Sequence, residues 1–300
     1  MLLFRSPLVP VLICALLWGS AFPVIKTVYQ HWENQGFTRT LPLIFLFAGI
    51  RFSIAGIGLL MIGKNFRSEL RSTPIKSILG LALTQTFIQY VFFYQSVAVS
   101  SASLTALLVA TGSFWWMILA PLIQKTPWPT STQWAGLVMG GVGVSLAIHQ
   151  PGDGAGNPLL GGVFMLTATA SGALAVILFA HLKPTMSAKN ATGISLLLGG
   201  LGLAALGAPA FSTITFLLDG PVILATLWLA FVSATAFSIW NYLSTLFPVT
   251  LLASYRFLIP ICGVLEALII LKSESPGWGL VVGGSLVIIS MFIARRTTAR

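Results

Sequence analysis

Four ionisable residues interrupt the long apolar runs of this sequence: Lys26, Arg51, Arg256 and Glu266. A charge at the centre of a membrane helix costs about 2.5–3.5 kcal/mol on insertion scales, so it usually faces a cavity or a partner. Three cations suit the binding of an anionic group, and a lone carboxyl suits the exchange of a proton. Lys26 closes the stretch "LLWGSAFPVIK" (16–26). It either snorkels to the nearer interface or places a cation at the mouth of a cavity. Pro23 frees the carbonyl near Gly19 and Ser20 can re-satisfy neighbouring backbone groups, as beside a cavity. Arg51 falls near the middle of its apolar block. Glu266 follows Arg256 by ten residues, about 15 Å along a helix and roughly 80° around it, so those two cannot pair. Arg51 and Glu266 are left as a buried ion pair with each other or with a neighbour, with Glu266 as an ion-coupling candidate, or a lipid-facing or interfacial placement, as the alternatives.

Uncharged polar and aromatic residues form a second set. Ser238, Asn241, Tyr242 and Thr245 recur at i, i+3, i+4 and i+7, one helical face. Gln85 and Gln89 lie at i, i+4, with Tyr90 and Tyr94 on an adjoining face. In lipid such side chains line a wet cavity or bond between helices. Trp18 and the pair in "SFWWM" (113–117) offer stacking walls. Adjacent Trp115 and Trp116 point about 100° apart, so only one of them faces a cavity well.

The rest of the chemical vocabulary is missing. The sequence has no Walker A pattern, no His/Glu metal cluster and no Ser–His–Asp constellation. His31, His149 and His181 lie at the ends of apolar runs. Neither a metal nor a cofactor is expected. An enzyme acting on a lipid-linked group would need converging acids or nucleophiles, and Glu266 is the one acid inside the runs.

The elements holding these residues follow from composition. The chain has 300 residues, 56% hydrophobic and 7% charged, with a mean hydropathy of +0.94. Soluble proteins carry roughly 25% charged residues. The apolar blocks match the roughly 20 residues that cross a hydrocarbon core, and they do not alternate as the strands of a membrane barrel do. The reading is an all-α integral membrane protein of ten spans: 8–29, 41–62, 75–98, 101–123, 132–148, 158–181, 192–210, 221–246, 249–271 and 276–294. The run after Arg5 is too long for a signal-peptide core and is read as a retained span. Cys14 and Cys262 lie within spans and offer no disulfide or metal spacing.

The net charge of +10 does not point to nucleic acid, because the basic residues fall mostly between spans. Eleven lie on one side: Arg5, Lys64, Arg67, Arg71, Lys76, Lys125, Lys183, Lys189, Arg295, Arg296 and Arg300. Only Arg39 and Lys272 lie on the other. By the positive-inside rule both termini are expected in the cytoplasm of a multi-pass inner-membrane protein. The loop 149–158, free of Lys and Arg, is expected outside.

Two segments repeat. Ser103-Leu104 and Ala106 match Thr250-Leu251 and Ala253, and "GLVMGG" (136–141) matches "GLVVGG" (279–284). The offset lays span 4 on span 9 and span 5 on span 10. Five spans per half is odd, so the second half enters the membrane inverted, an architecture of secondary transporters with a midplane site.

With that repeat, "LLWGSAFPVIK", "SASLTALL" (101–108) and "LFPVTLLASYRFLIPICGVLEALIILKSE" (246–274), the chain resembles the EamA family of the drug/metabolite transporter superfamily. The resemblance implies two units, 1–148 and 159–300, joined by an outward linker at 149–158. It also implies a ten-helix basket whose cavity is lined by spans 1, 3, 4, 6, 8 and 9. Pro23 and Pro260 are the hinge candidates; the position matching Pro260 in the first unit is Ser113. Glu274 matches the acid that often follows the fourth span of a unit. The expected function is export of a small metabolite, an amino acid or related zwitterion or anion, by alternating access. The expected contacts are Trp18, Ser20, Lys26, Gln85, Gln89, Tyr90, Trp115, Ser238, Asn241, Tyr242 and Arg256, with Arg51 a structural or cavity charge. Expected partners are the substrate, membrane lipids and a proton as coupling ion, with the protein a monomer or homodimer. Efflux of lipophilic cations is the rival reading, and three intramembrane cations oppose it.

Overall fold

In the computed structural model the described residues are 7–125, 127–154, 156–182, 185–247, 252, 255, 256 and 258–296. They form α1 (Leu8–Asn34), α2 (Leu41–Ile62), α3 (Phe66–Ser72), α4 (Ile75–Ala82), α5 (Gln89–Val99), α6 (Ala102–Leu108), α7 (Thr111–Gln124), α8 (Ser131–His149), α9 (Pro158–Leu182), α10 (Ala188–Leu206), α11 (Gly220–Leu246), α12 (Leu258–Ile270) and α13 (Trp278–Arg296). A π-helical segment, Leu83–Ile88, joins α4 to α5 in one continuous rod. Among the described residues eight helices, taking α4–α5 and α6–α7 as single rods, are long and apolar enough to cross a membrane; α12 and α13 contribute shorter apolar stretches.

The sequence expectation and the structure part company at element ends. The seventh span was expected from 192, but α10 starts at Ala188. The Ser187 hydroxyl caps it by accepting from Asn190 N, and Asn190 is itself tied to Lys64 O at 2.8 Å. A 3-10 helix, Ala208–Leu217, fills what was expected to be loop. The fourth span is interrupted at Val109–Ala110, between α6 and α7. Its ninth counterpart was expected from 249, and much of 248–257 lies outside the described residues. Pro23 does not break α1, which runs through it to Asn34.

Loops gather at two ends. At one, Asn190 and Ser187 donate to Glu69, and Lys64, Arg67, Arg71 and Lys76 lie nearby in sequence; we call it the cationic end. At the other, β1 (Gly152–Asp153) pairs antiparallel with β2 (Ser275–Pro276), Ser100 bridges Gly156, and His31 meets Asp219. Glu33, Asp153, Asp219 and Glu274 belong to this acidic end. The rods between the ends pack through small residues. A Cβ on Gly143 of α8 would fall 2.5 Å from Gly283 O of α13, so glycine is what lets the two backbones touch.

Candidate functional site

The acidic end is shut by charges that find their partners within the chain. α5 stops at Val99 and α6 starts at Ala102, so Ser100 and Ser101 are buried where a helix C-terminus meets a helix N-terminus. Such termini leave carbonyls and N–H groups without intrahelical partners. Lys26 of α1 supplies the first need: Nζ donates to Ser100 O at 2.8 Å and to Val97 O at 3.3 Å. Glu274, preceding β2, supplies the second. Its carboxylate accepts from Ala102 N at 2.7 Å, Ser103 N at 3.0 Å and the Ser103 hydroxyl at 2.7 Å. Both charges also suit the helix dipoles they face. Beside this clasp an aromatic layer fills the bundle, Trp32 standing between Tyr29 and Phe47, with Tyr94 edge-on to Phe47.

Below that layer lies a central cavity of about 940 Å³ of empty space, counting its mouth. Its wall runs along α11 from Val232 to Asn241 and reaches Arg256 and Ile259, so it extends from mid-bundle toward the cationic end. Trp18, Phe22, Tyr90, Phe93, Phe237 and Trp240 supply aromatic walls. Trp18 packs 5.3 Å from Phe237 and 5.6 Å from Trp240, ring to ring. Thr169, Gly172, Ala175 and Val176 give α9 a low wall, and Gln85, Gln89, Ser233 and Asn241 supply uncharged polarity.

Two guanidinium groups line this cavity. Arg51 is only 2% exposed, and Nη1 donates to Leu229 O and to the Ser233 hydroxyl, each at 3.3 Å. Its planar head lies 4.0 Å from the Phe52 ring centre and 5.4 and 5.3 Å from those of Tyr90 and Tyr94. Arg256 stacks 5.6 Å from the Trp240 ring, and its Nη2 would lie 3.0 Å from a Cβ on Gly112. It also lines a smaller side pocket with Ser113, Trp116 and Ser244.

Among the described residues no carboxylate compensates them. The sequence holds six acidic residues. Glu33 pairs with Arg39, Glu69 binds Asn190, Asp219 meets His31 and Glu274 caps α6. Asp153 belongs to β1 at the acidic end. Glu266 lies on the seam of α1 and α12, where its Oε1 would be 3.1 Å from a Cβ on Gly19, and it is not among the lining residues. The expected Arg51–Glu266 ion pair is therefore replaced by cation–π stacking and neutral acceptors around Arg51.

Of the residues expected to contact a substrate, Trp18, Gln85, Gln89, Tyr90, Asn241 and Arg256 line the cavity, as does Arg51. Others sit elsewhere, each for a visible reason. Lys26 is held by the end of α5. Ser20 donates to Leu17 O and accepts from Trp228 on the side of α1 that meets α11. Tyr242 is 45% exposed on the outside of α11. Ser238 and Trp115 are half-buried and absent from the lining, whereas Trp116 reaches the side pocket. Pro23 is buried in α1 and Pro260 in α12. Sequence reasoning missed Phe22, Phe93, Phe237 and Trp240. The i, i+4 spacing of Trp18 and Phe22, shared by Gln89 and Phe93, was the available signal.

The model of the EamA-like transporter family matches residues 6–148. A solved crystal structure of a protein aligns with 96% of this chain and 98% of its own at a TM-score of 0.62 and 15% sequence identity. That likeness is one of fold. No curated protein matches the sequence.

Proposed function

We propose, for a chain whose residues 6–148 match the model of the EamA-like transporter family, a secondary carrier that exports a small organic metabolite bearing a carboxylate, an amino acid or a related zwitterion or anion. The observation that carries this reading is the pair of guanidinium groups, Arg51 and Arg256, in a cavity whose described lining includes no acidic residue. Buried charges are expected to be paired. Here the missing partner is the cargo's own anionic group. Gln85, Gln89 and Asn241 offer it further polar contacts, and Trp18 and Tyr90 offer its apolar part a surface. The same two cations oppose a lipophilic-cation cargo.

Alternating access has support in which helices meet. Exchanging α1, α2, α4–α5, α6–α7 and α8 with α9, α10, α11, α12 and α13 turns the α2–α10 and α8–α13 packings into themselves. It turns α1–α12 into α9–α7, and α5–α9 into α11–α1, and all of these pairs are in contact. That is the arrangement expected of ten spans in two inverted five-helix units. The positive-inside rule assigns the cationic end to the cytoplasm, so the cavity extends toward the side from which an exporter loads. Glu266 lies outside the cavity, which favours exchange or facilitated movement over a proton relay that competes directly with cargo.

The test is flux. Purified protein in liposomes, given labelled amino acids and organic acids one at a time, should carry at least one carboxylate saturably, and Arg51→Gln should abolish that flux. Folded wild-type protein that carries none of them, or a variant that carries them at the wild-type rate, would sink the reading.

A further inference from the structure

The two cations are not side by side. Arg51 is anchored to α11 at Leu229 and Ser233, and Arg256 stacks on Trp240 of the same helix. Seven residues separate Ser233 from Trp240, about 10 Å of rise. Between those levels α11 presents Phe237 to the cavity, and Asn241 follows Trp240 at its lower edge. The wall is therefore a positive post at mid-bundle, an aromatic and amide stretch, and a second positive post toward the cationic end. A cargo with one carboxylate meets one post and leaves the other guanidinium without a counter-charge among the described residues. A cargo with an anionic group at each end meets both.

We propose that the site selects small molecules with two separated anionic groups, short dicarboxylates, with Arg51 holding one group and Arg256 the other. The proposal rests on the carrier reading above and narrows its cargo. Arg256 is then the specificity post, because it is what a single-headed anion fails to use. Its planar fork suits a carboxylate bidentately, which a lysine does not reproduce.

Flux into proteoliposomes, measured for dicarboxylates of three to seven carbons and for monocarboxylates matched in length, tests this. Wild-type protein should carry the best dicarboxylate at least about tenfold faster than its monocarboxylate partner, the order expected of one charge-assisted contact. Arg256→Gln should bring the two rates together mainly by slowing the dicarboxylate. A measurement on unaltered protein stands beside it: the change in the protein's tryptophan fluorescence, to which Trp18 and Trp240 of the cavity wall contribute, should saturate with dicarboxylate at concentrations where the monocarboxylate has no effect. Equal rates and equal fluorescence changes for the two classes, or a selectivity that Arg256→Gln leaves intact, overturns the two-post proposal while the carrier stands. Competition by a simple phosphate monoester equal to that of the dicarboxylate also overturns it, because one dianionic group cannot span two posts. Failure of every carboxylate to move or to change the fluorescence overturns the carrier reading with it.

Discussion

Lys26 and Glu274 at the acidic end, and Arg51 and Arg256 in the cavity, are charges that this apolar chain places away from its loop surfaces, and they are treated oppositely. Glu274 is 8% exposed, yet three donors at the start of α6 point at its carboxylate; Lys26 meets two carbonyls at the end of α5. Arg51 is more deeply buried and, among the described residues, meets a carbonyl, a hydroxyl and aromatic faces but no carboxylate. A charge that serves the fold brings its partner in the same chain. On the proposed reading, a charge that serves a ligand is left wanting one, and the cost of burying it is recovered when cargo arrives.

The sharpest way to break that contrast is to remove a charge from each side and compare what fails. Arg51→Gln should lower cargo affinity by about 100-fold, within the 2–5 kcal/mol typical of truncating one partner of a buried charge pair, with little loss of thermal stability. Arg51→Lys should recover only part of it, since a point charge lacks the planar fork and its stacking. Uptake kinetics beside a melting curve separate the two effects. A collapse of the melting temperature in Arg51→Gln would make that cation structural and erase the distinction.

Glu274→Ala should do the reverse. It leaves buried N–H groups of Ala102 and Ser103 without an acceptor, at about 1–3 kcal/mol each. The melting temperature should fall by several degrees, and a cysteine placed at Ser101 should become reactive to a membrane-impermeant thiol reagent from the acidic end. Glu274→Gln keeps an acceptor oxygen and should show a smaller version of both changes. Cargo affinity for the cavity should hold in each. A smaller loss is expected from Lys26→Met, of the order of 1 kcal/mol for a cation at a helix C-terminus, seen in the same melting assay.

That contrast marks what was legible in the sequence. Composition and block length give helices crossing a membrane, because the bilayer imposes a length and a hydropathy that any span must meet. The helical spacing of Gln85 and Gln89 and the depth of Arg51 reached the cavity, since both are properties of one helix. The clasp was not legible. Nothing local to Glu274 announces that it caps a helix starting at residue 102, and nothing near Lys26 points to Ser100. The stripe Ser238–Asn241–Tyr242–Thr245 was split for the same reason: periodicity defines a face but not which neighbour it meets. Asn241 turns to Thr192 and the cavity, while Tyr242 turns outward.

Glu266 belongs to neither class and yields the smallest expected effect. It is half-buried on the seam where Gly19 and Gly263 let α1 and α12 approach, a Cβ on Gly19 falling 2.9 Å from Gly263 N. It has neither the in-chain donors that Glu274 has nor a place in the cavity wall. Glu266→Gln is nearly isosteric and keeps the seam's shape, so cargo affinity and maximal flux should stay within about twofold, as for a substitution away from the site. A proton-sensitive dye inside the liposomes makes the measurement discriminating. Flux that persists with an unchanged dye signal leaves Glu266 a seam residue. Substrate-driven proton movement in wild type that vanishes in Glu266→Gln while cargo still binds would give the lone carboxyl a third role: a charge whose partner is a proton, read through the helix seam instead of through the cavity.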